Sequence, residues 1–153
     1  STSRRQRQMC IRDSTYTNTF GEWSGKAAGG SSGKECLQIN VKDNSAFGSF
    51  VQIPAVDGTI EKIEVTIREP YKGRAIGIFP VGYTYTKDTL DKMKEQLAKD
   101  AIAISNETPS DVNNNEPFTF VIDNLSAKNL TQFSIFPTLG AVSITAITVT
   151  YSK

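Results

Sequence analysis

The chain contains no histidine. Its absence removes the commonest general base near neutral pH and the commonest protein ligand of zinc and copper. A serine or cysteine nucleophile would have to take a lysine as its base. Cysteine is almost as scarce, with only Cys10 and Cys36. One pair could close one disulfide, but two cysteines make no framework, so two unpaired thiols are expected. No apolar run approaches the roughly 18 residues of a membrane span, so no membrane insertion is expected. The formal net charge is +1. No strong overall field therefore recruits nucleic acid or an anionic surface. What remains is ordinary globular material: 38% hydrophobic and 22% charged residues over 153 positions. That suffices for one domain with its own core and differs from the composition of disordered chains.

Charge is unevenly spread. Residues 1–14 hold Arg4, Arg5, Arg7 and Arg12, four of the six arginines, and beyond them thirteen basic residues face fifteen acidic ones. Such a break marks a segment of different origin or job. The stretch from Gln8 to Ser14 reads like a translated sequencing-library transposon end, as found at the edges of reading frames assembled from metagenomic reads. The expectation is a non-native or disordered segment over 1–14 and a single domain over 15–153. A basic arm for nucleic acid or a partner is the alternative. No 7–15-residue apolar stretch follows the arginines, as a signal peptide would require.

From Thr15 onward, short alternating apolar runs are broken by turn residues. Strands are expected over 15–20, 36–41, 47–53, 60–67, 74–81, 101–105, 117–123, 130–136 and 142–151. Asp57-Gly58 is a strong turn signal, and Pro54 ends a strand. Residues 21–34, rich in Gly, Ser and Lys around Trp23, read as a loop. In the last strand the apolar phase slips by one residue at Thr145-Ala146, which predicts a β-bulge. Leu90, Met93 and Leu97 recur at helical spacing, so the one helix is placed over 88–99 with Asp88 as N-cap, as a surface crossover. Eight or nine alternating strands with one short helix near 88–100 argue for an all-β, antiparallel, jelly-roll-like sandwich.

The Ser/Gly-rich opening with Trp23, the phrase AFGSFVQIPAVDGTIEKIEVTI and the closing VSITAITVTY carry a resemblance. They resemble β-sandwich modules of secreted Bacteroidota-type proteins, and the rhythm is similar to that of jelly-roll carbohydrate-binding modules. The resemblance spans most of residues 15–153 through generic strand phrases. It implies a secreted, periplasmic or cell-surface accessory domain of a larger bacterial chain, with a polysaccharide or cell-surface glycan as partner. It transfers no binding residue to a numbered position.

Sugar recognition needs flat aromatic faces beside amides and carboxylates. Trp23, Tyr71 in the turn Glu69–Gly73, and Tyr83 and Tyr85 at period two are the ligand-binding candidates, each weighed against core packing. Asp111, Asn113 and Asn115 place oxygens at i, i+2 and i+4, as calcium loops do. Glu116 stands where an EF-hand has glycine, and Ile122 where it has its bidentate glutamate. A structural calcium is thus the one cofactor weighed, against a plain solvated loop. Residues 25–34 superficially resemble a phosphate loop, but Ala28 replaces its first glycine and Glu35 its magnesium-binding hydroxyl. The carboxylate pairs Glu61/Glu64 and Asp88/Asp91 read as solvated surface. Triplets of N-glycosylation type at Asn106, Asn124 and Asn129 are expected by chance in so polar a β protein. The expected function is a non-catalytic glycan-binding module, with a fibre-, pilus- or capsid-like structural subunit as the alternative.

Overall fold

Two long strands fix the architecture. β6 (Thr59–Arg68) and β11 (Val142–Ser152) each place an isoleucine, valine or tyrosine on nearly every second residue, and those residues are buried. Period two puts the apolar set on one face, so both strands expose a Thr/Ser/Lys/Glu face and bury the other. The computed structural model describes residues 15–17, 22–26, 28–29, 37–41 and 49–153, the first three segments by backbone alone. Segment 1–14, Cys10 and Cys36 lie outside the described residues.

The remaining strands among the described residues are β1 (Thr15–Thr17), β2 (Glu22–Lys26), β3 (Ala28–Gly29), β4 (Leu37–Ile39), β5 (Phe50–Gln52), β7 (Ile76–Phe79), β8 (Ala103–Ile104), β9 (Phe118–Ile122) and β10 (Ser134–Pro137), with one α-helix, α1 (Leu90–Asp100), and a 3-10 turn at Ser126–Lys128. They form two sheets, ordered β1-β2-β5-β10-β7-β8 and β3-β4-β11-β6-β9. Every pairing is antiparallel. The sheets pack as a sandwich over Leu37, Val51, Ile63, Val65, Ile78, Phe120, Phe133, Ile135, Ile147 and Val149, drawn from both. Full burial of such side chains contributes about 1.5–3 kcal/mol each before chain entropy is set against it.

Strands β7 and β10 do not alternate: Ile76–Phe79 and Ser134–Pro137 are buried throughout. The reason is a third layer. Phe79 and Phe136 point away from the sandwich core into a second cluster with Val41, Tyr85 and Leu97, against which Phe50, Tyr83 and Met93 pack. Helix α1 covers this outer face through Leu97 and Met93, while Leu90, its first residue, stays exposed. The helix is therefore a packed cover and not merely a crossover. Its N-cap is Thr89, whose side chain accepts from the Lys92 N–H, and not Asp88. The expected loop 21–34 is corrected too: Glu22–Lys26 pairs with both β1 and β5, so Trp23 sits on a strand opposite Tyr16.

The bulge at Thr145 is present, since Ile144 pairs with Ile67 and Ala146 with Thr66. The Thr145 hydroxyl donates to the Thr66 carbonyl at 3.2 Å. A second register shift lies between Thr150 and Tyr151, opposite Glu61.

Candidate functional site

Three loops meet at the end of the sandwich where β6 stops and β7, β9 and β11 begin: 69–75, 105–117 and 138–141. Thr108 ties the first two together. Its buried hydroxyl donates to the Tyr71 carbonyl at 2.6 Å and accepts from the Arg74 N–H at 2.8 Å. The Thr108 N–H donates to the Arg74 carbonyl, and the Gly73 N–H to the Thr108 carbonyl. Gly73, at φ +67°, supplies the left-handed residue that lets the chain turn back between Tyr71 and Arg74. Asn114 adds a link, its Nδ2 donating to the Pro70 carbonyl at 3.3 Å.

Arg74 ties in the third loop. Its Nε donates to the Ala141 carbonyl at 3.0 Å and its Nη1 to the Lys72 carbonyl at 3.4 Å. Its guanidinium carbon stands 5.9 Å from the centroid of the Tyr71 ring, within cation–π range. Gly140 leaves the space this requires, because a Cβ there would fall 2.8 Å from Nε. Tyr71 is thus held by its backbone and flanked by a fixed cation, yet is 61% exposed, the most exposed large hydrophobic side chain among the described residues.

The structure brings Tyr71 and the Asp111–Asn115 loop to one place and sends the other aromatics elsewhere. Asp111, Asn113 and Asn115 are exposed on a turn closed by the Glu116 N–H on the Asn113 carbonyl. The Asn113 Oδ1 already accepts from the Asn115 N–H at 2.9 Å, a local Asx-type bond that explains this residue choice without a metal. Among the described residues no group of three or more His, Cys, Asp or Glu stands together.

Tyr83 and Tyr85 do share a side, as their spacing indicates, but it is the inner one. Tyr85 is 3% exposed, and its hydroxyl donates to the Val41 carbonyl. Tyr83 stacks on Phe79 at 4.6 Å between ring centroids and donates to Asp100 Oδ2 at 2.8 Å. Burial, reinforced by that carboxylate, pushes the Tyr83 phenol well above its ordinary pKa. Tyr85 is therefore corrected from ligand-binding candidate to core residue, and Tyr83 to half-buried support for the helix. The Trp23 side chain lies outside the described residues, so its candidacy stands on the sequence alone.

Sequence reasoning missed Thr108, Arg74 and Gly140. A threonine in a polar loop, an isolated arginine and one glycine among eleven carry no pattern. Only the convergence of three distant loops makes them a unit. The three N-glycosylation-type asparagines also have structural roles. Asn106 Oδ1 accepts the outward-facing N–H of Val121 on β9 at 3.1 Å. Asn124 and Asn129 occupy left-handed backbone at φ +57° and +53°, which asparagine tolerates best among non-glycines. Of the carboxylates weighed for catalysis, Glu64 stands 3.9 Å from the Lys62 ammonium in a surface ion pair.

No family model matches the chain, and no curated protein matches its sequence. Among the described residues no helix is long and apolar enough to cross a membrane.

Proposed function

We propose that this chain is a non-catalytic, extracellular glycan-binding or accessory module, akin to jelly-roll carbohydrate-binding modules, that meets its ligand at the Tyr71 loop end. The observation that carries the reading is the Tyr71 ring, exposed, backbone-anchored and flanked by the Arg74 guanidinium beside a loop of three asparagines. An exposed ring on an anchored backbone loses less entropy on stacking against the C–H face of a pyranose than one on a free loop. Asn113, Asn115 and Asp111 supply acceptors and donors for its hydroxyls. A rigid sandwich presenting recognition groups on loops is a common division of labour.

The competing reading, a structural or adhesion subunit, draws on sheet edges. Among the described residues, the edge strand β8 is two residues long. The five-residue edge β9 has its Val121 N–H capped by Asn106.

Affinity electrophoresis against plant, host and microbial polysaccharides, with Tyr71→Ala alongside, tests the proposal. We expect at least one glycan to retard the parent chain. Losing the ring should weaken this roughly tenfold, from about 1–2 kcal/mol of stacking and burial. Circular dichroism should be unchanged, because so exposed a side chain holds up little of the fold. No retardation on any glycan, with self-association in sedimentation, would transfer the case to the structural reading.

A further inference from the structure

A second feature lies on α1, away from the Tyr71 loops. Lys87, Lys92, Glu95, Gln96, Lys99 and Asp100 line an open cleft of about 450 Å³. Among the described residues, none of the three ammonium groups has an ion-pair or hydrogen-bond partner. Gln96 is fixed: its Oε1 accepts the N–H groups of Thr86 at 3.1 Å and Lys87 at 3.3 Å. Its amide nitrogen is then the group it has left to offer. Asp100 is already engaged by the Tyr83 hydroxyl at 2.8 Å. Donors outnumber acceptors around the cleft: three ammonium groups and one oriented amide face the carboxylates of Glu95 and Asp100, the latter already accepting at Oδ2. A donor-rich cleft of net positive charge suits a ligand rich in acceptors and negatively charged.

We propose that this cleft binds the sulfate or carboxylate groups of an acidic polysaccharide. The choice of polymer rests on the glycan-binding reading above, but the residues are distinct from Tyr71 and its neighbours. Two carboxylates in the lining oppose the dense, continuous charge of a nucleic-acid backbone, and among the described residues no aromatic ring lines the cleft for a base to stack on. Anionic groups spaced along a sugar chain meet the lysines singly, while Glu95 accepts from intervening hydroxyls.

The test is affinity electrophoresis of the whole chain in gels holding dextran sulfate, polygalacturonate, unmodified dextran or single-stranded DNA. The variant Lys87→Gln/Lys92→Gln/Lys99→Gln is compared with Lys62→Gln/Lys128→Gln/Lys153→Gln, which changes net charge equally elsewhere. Retention by at least one acidic polysaccharide should weaken roughly tenfold in the first variant, about what three partly exposed ion pairs supply, and less than twofold in the second. Dextran sulfate and polygalacturonate separate the sulfate from the carboxylate source. Equal losses in both variants, or DNA retained more strongly than either acidic polysaccharide, would overturn the proposal. Tyr71→Ala should leave retention by the acidic polymer unchanged while weakening retention by the ligand of the loop end roughly tenfold, so either reading can fail alone.

Discussion

Replacing Phe136 with alanine tests whether the helix-covered face of the six-stranded sheet is a true third layer. Phe136 is 1% exposed and meets four rings: Phe50 at 5.2 Å, Phe79 at 5.0 Å, Tyr83 at 5.4 Å and Tyr85 at 6.1 Å between centroids. Truncating a buried phenylalanine removes its transfer free energy and leaves a cavity, together about 3–5 kcal/mol. The lost ring contacts place this site in the upper half of that range, near 4–5 kcal/mol. Against a whole-domain stability of about 5–15 kcal/mol, the variant should be marginal. In urea, with a slope of about 2 kcal/mol/M, the midpoint should fall by roughly 2 M. Phe136→Leu, which keeps most of the volume, should cost less than about 1.5 kcal/mol. If alanine costs under about 1 kcal/mol, α1 does not seal that face and the three-layer description fails. If leucine costs nothing measurable while alanine costs several kcal/mol, the site requires only volume and the rings contribute nothing as a cluster.

Three further outcomes follow from single residues. Gly58→Ala should destabilise and broaden unfolding in urea, because a Cβ at Gly58 would sit 2.2 Å from the Ser152 carbonyl oxygen and backbone must move to admit it; an unchanged midpoint would show that the turn and the C-terminal strand are not in contact. Tyr83 has a phenol pKa raised on folding above its ordinary 10.0, so the stability this group contributes is complete below pH 10 and is lost as pH rises beyond it; Tyr83→Phe should flatten that alkaline fall in thermal melts between pH 9 and 11, and an identical slope in the variant would refute the assignment. Ser134 is 1% exposed with its Oγ unpartnered, so Ser134→Ala should be neutral or stabilising by up to about 1 kcal/mol, whereas a loss above 1 kcal/mol would mean the hydroxyl is bonded in solution.

Legibility in the sequence follows how local each determinant is. β6 and β11 announce themselves because one face is buried and the other wet, so Ile63, Val65 and Ile67 alternate with polar residues. The bulge at Thr145 was equally readable, since an extra residue flips the phase of everything after it. Where burial comes from both sides the alternation vanishes. Ile76–Phe79 and Ser134–Pro137 read only as apolar runs, and nothing in them names the helix as the second cover. Trp23 was misplaced because glycine and serine around it suggested a loop, whereas pairing with β1 and β5 overrides that local preference. Tyr83 and Tyr85 show the limit for function. Period two gave their shared side, but which layer lay over it depended on residues far along the chain.

The loop end shows why a site of this kind stays hidden until the chain folds. In the sequence Tyr71 stands out only by its place between Pro70 and Gly73, and a lone exposed tyrosine carries little meaning. Its significance comes from Thr108, 37 residues on, which holds its carbonyl, and from Arg74, which reaches Ala141, 67 residues on. These contacts join loops from both sheets, so the ring's position is set by how β6, β7, β9 and β11 pack and not by the turn alone. A surface ring needed only for solubility or turn formation would not require such anchoring. Converting Thr108 to valine keeps the side-chain volume but removes both hydroxyl bonds. It should therefore loosen Tyr71 and reduce glycan retention while the sandwich core, which Thr108 does not enter, keeps most of its stability. Equal damage to binding and to the urea midpoint would make Thr108 a fold residue, and the anchored-ring argument would lose its distinguishing support.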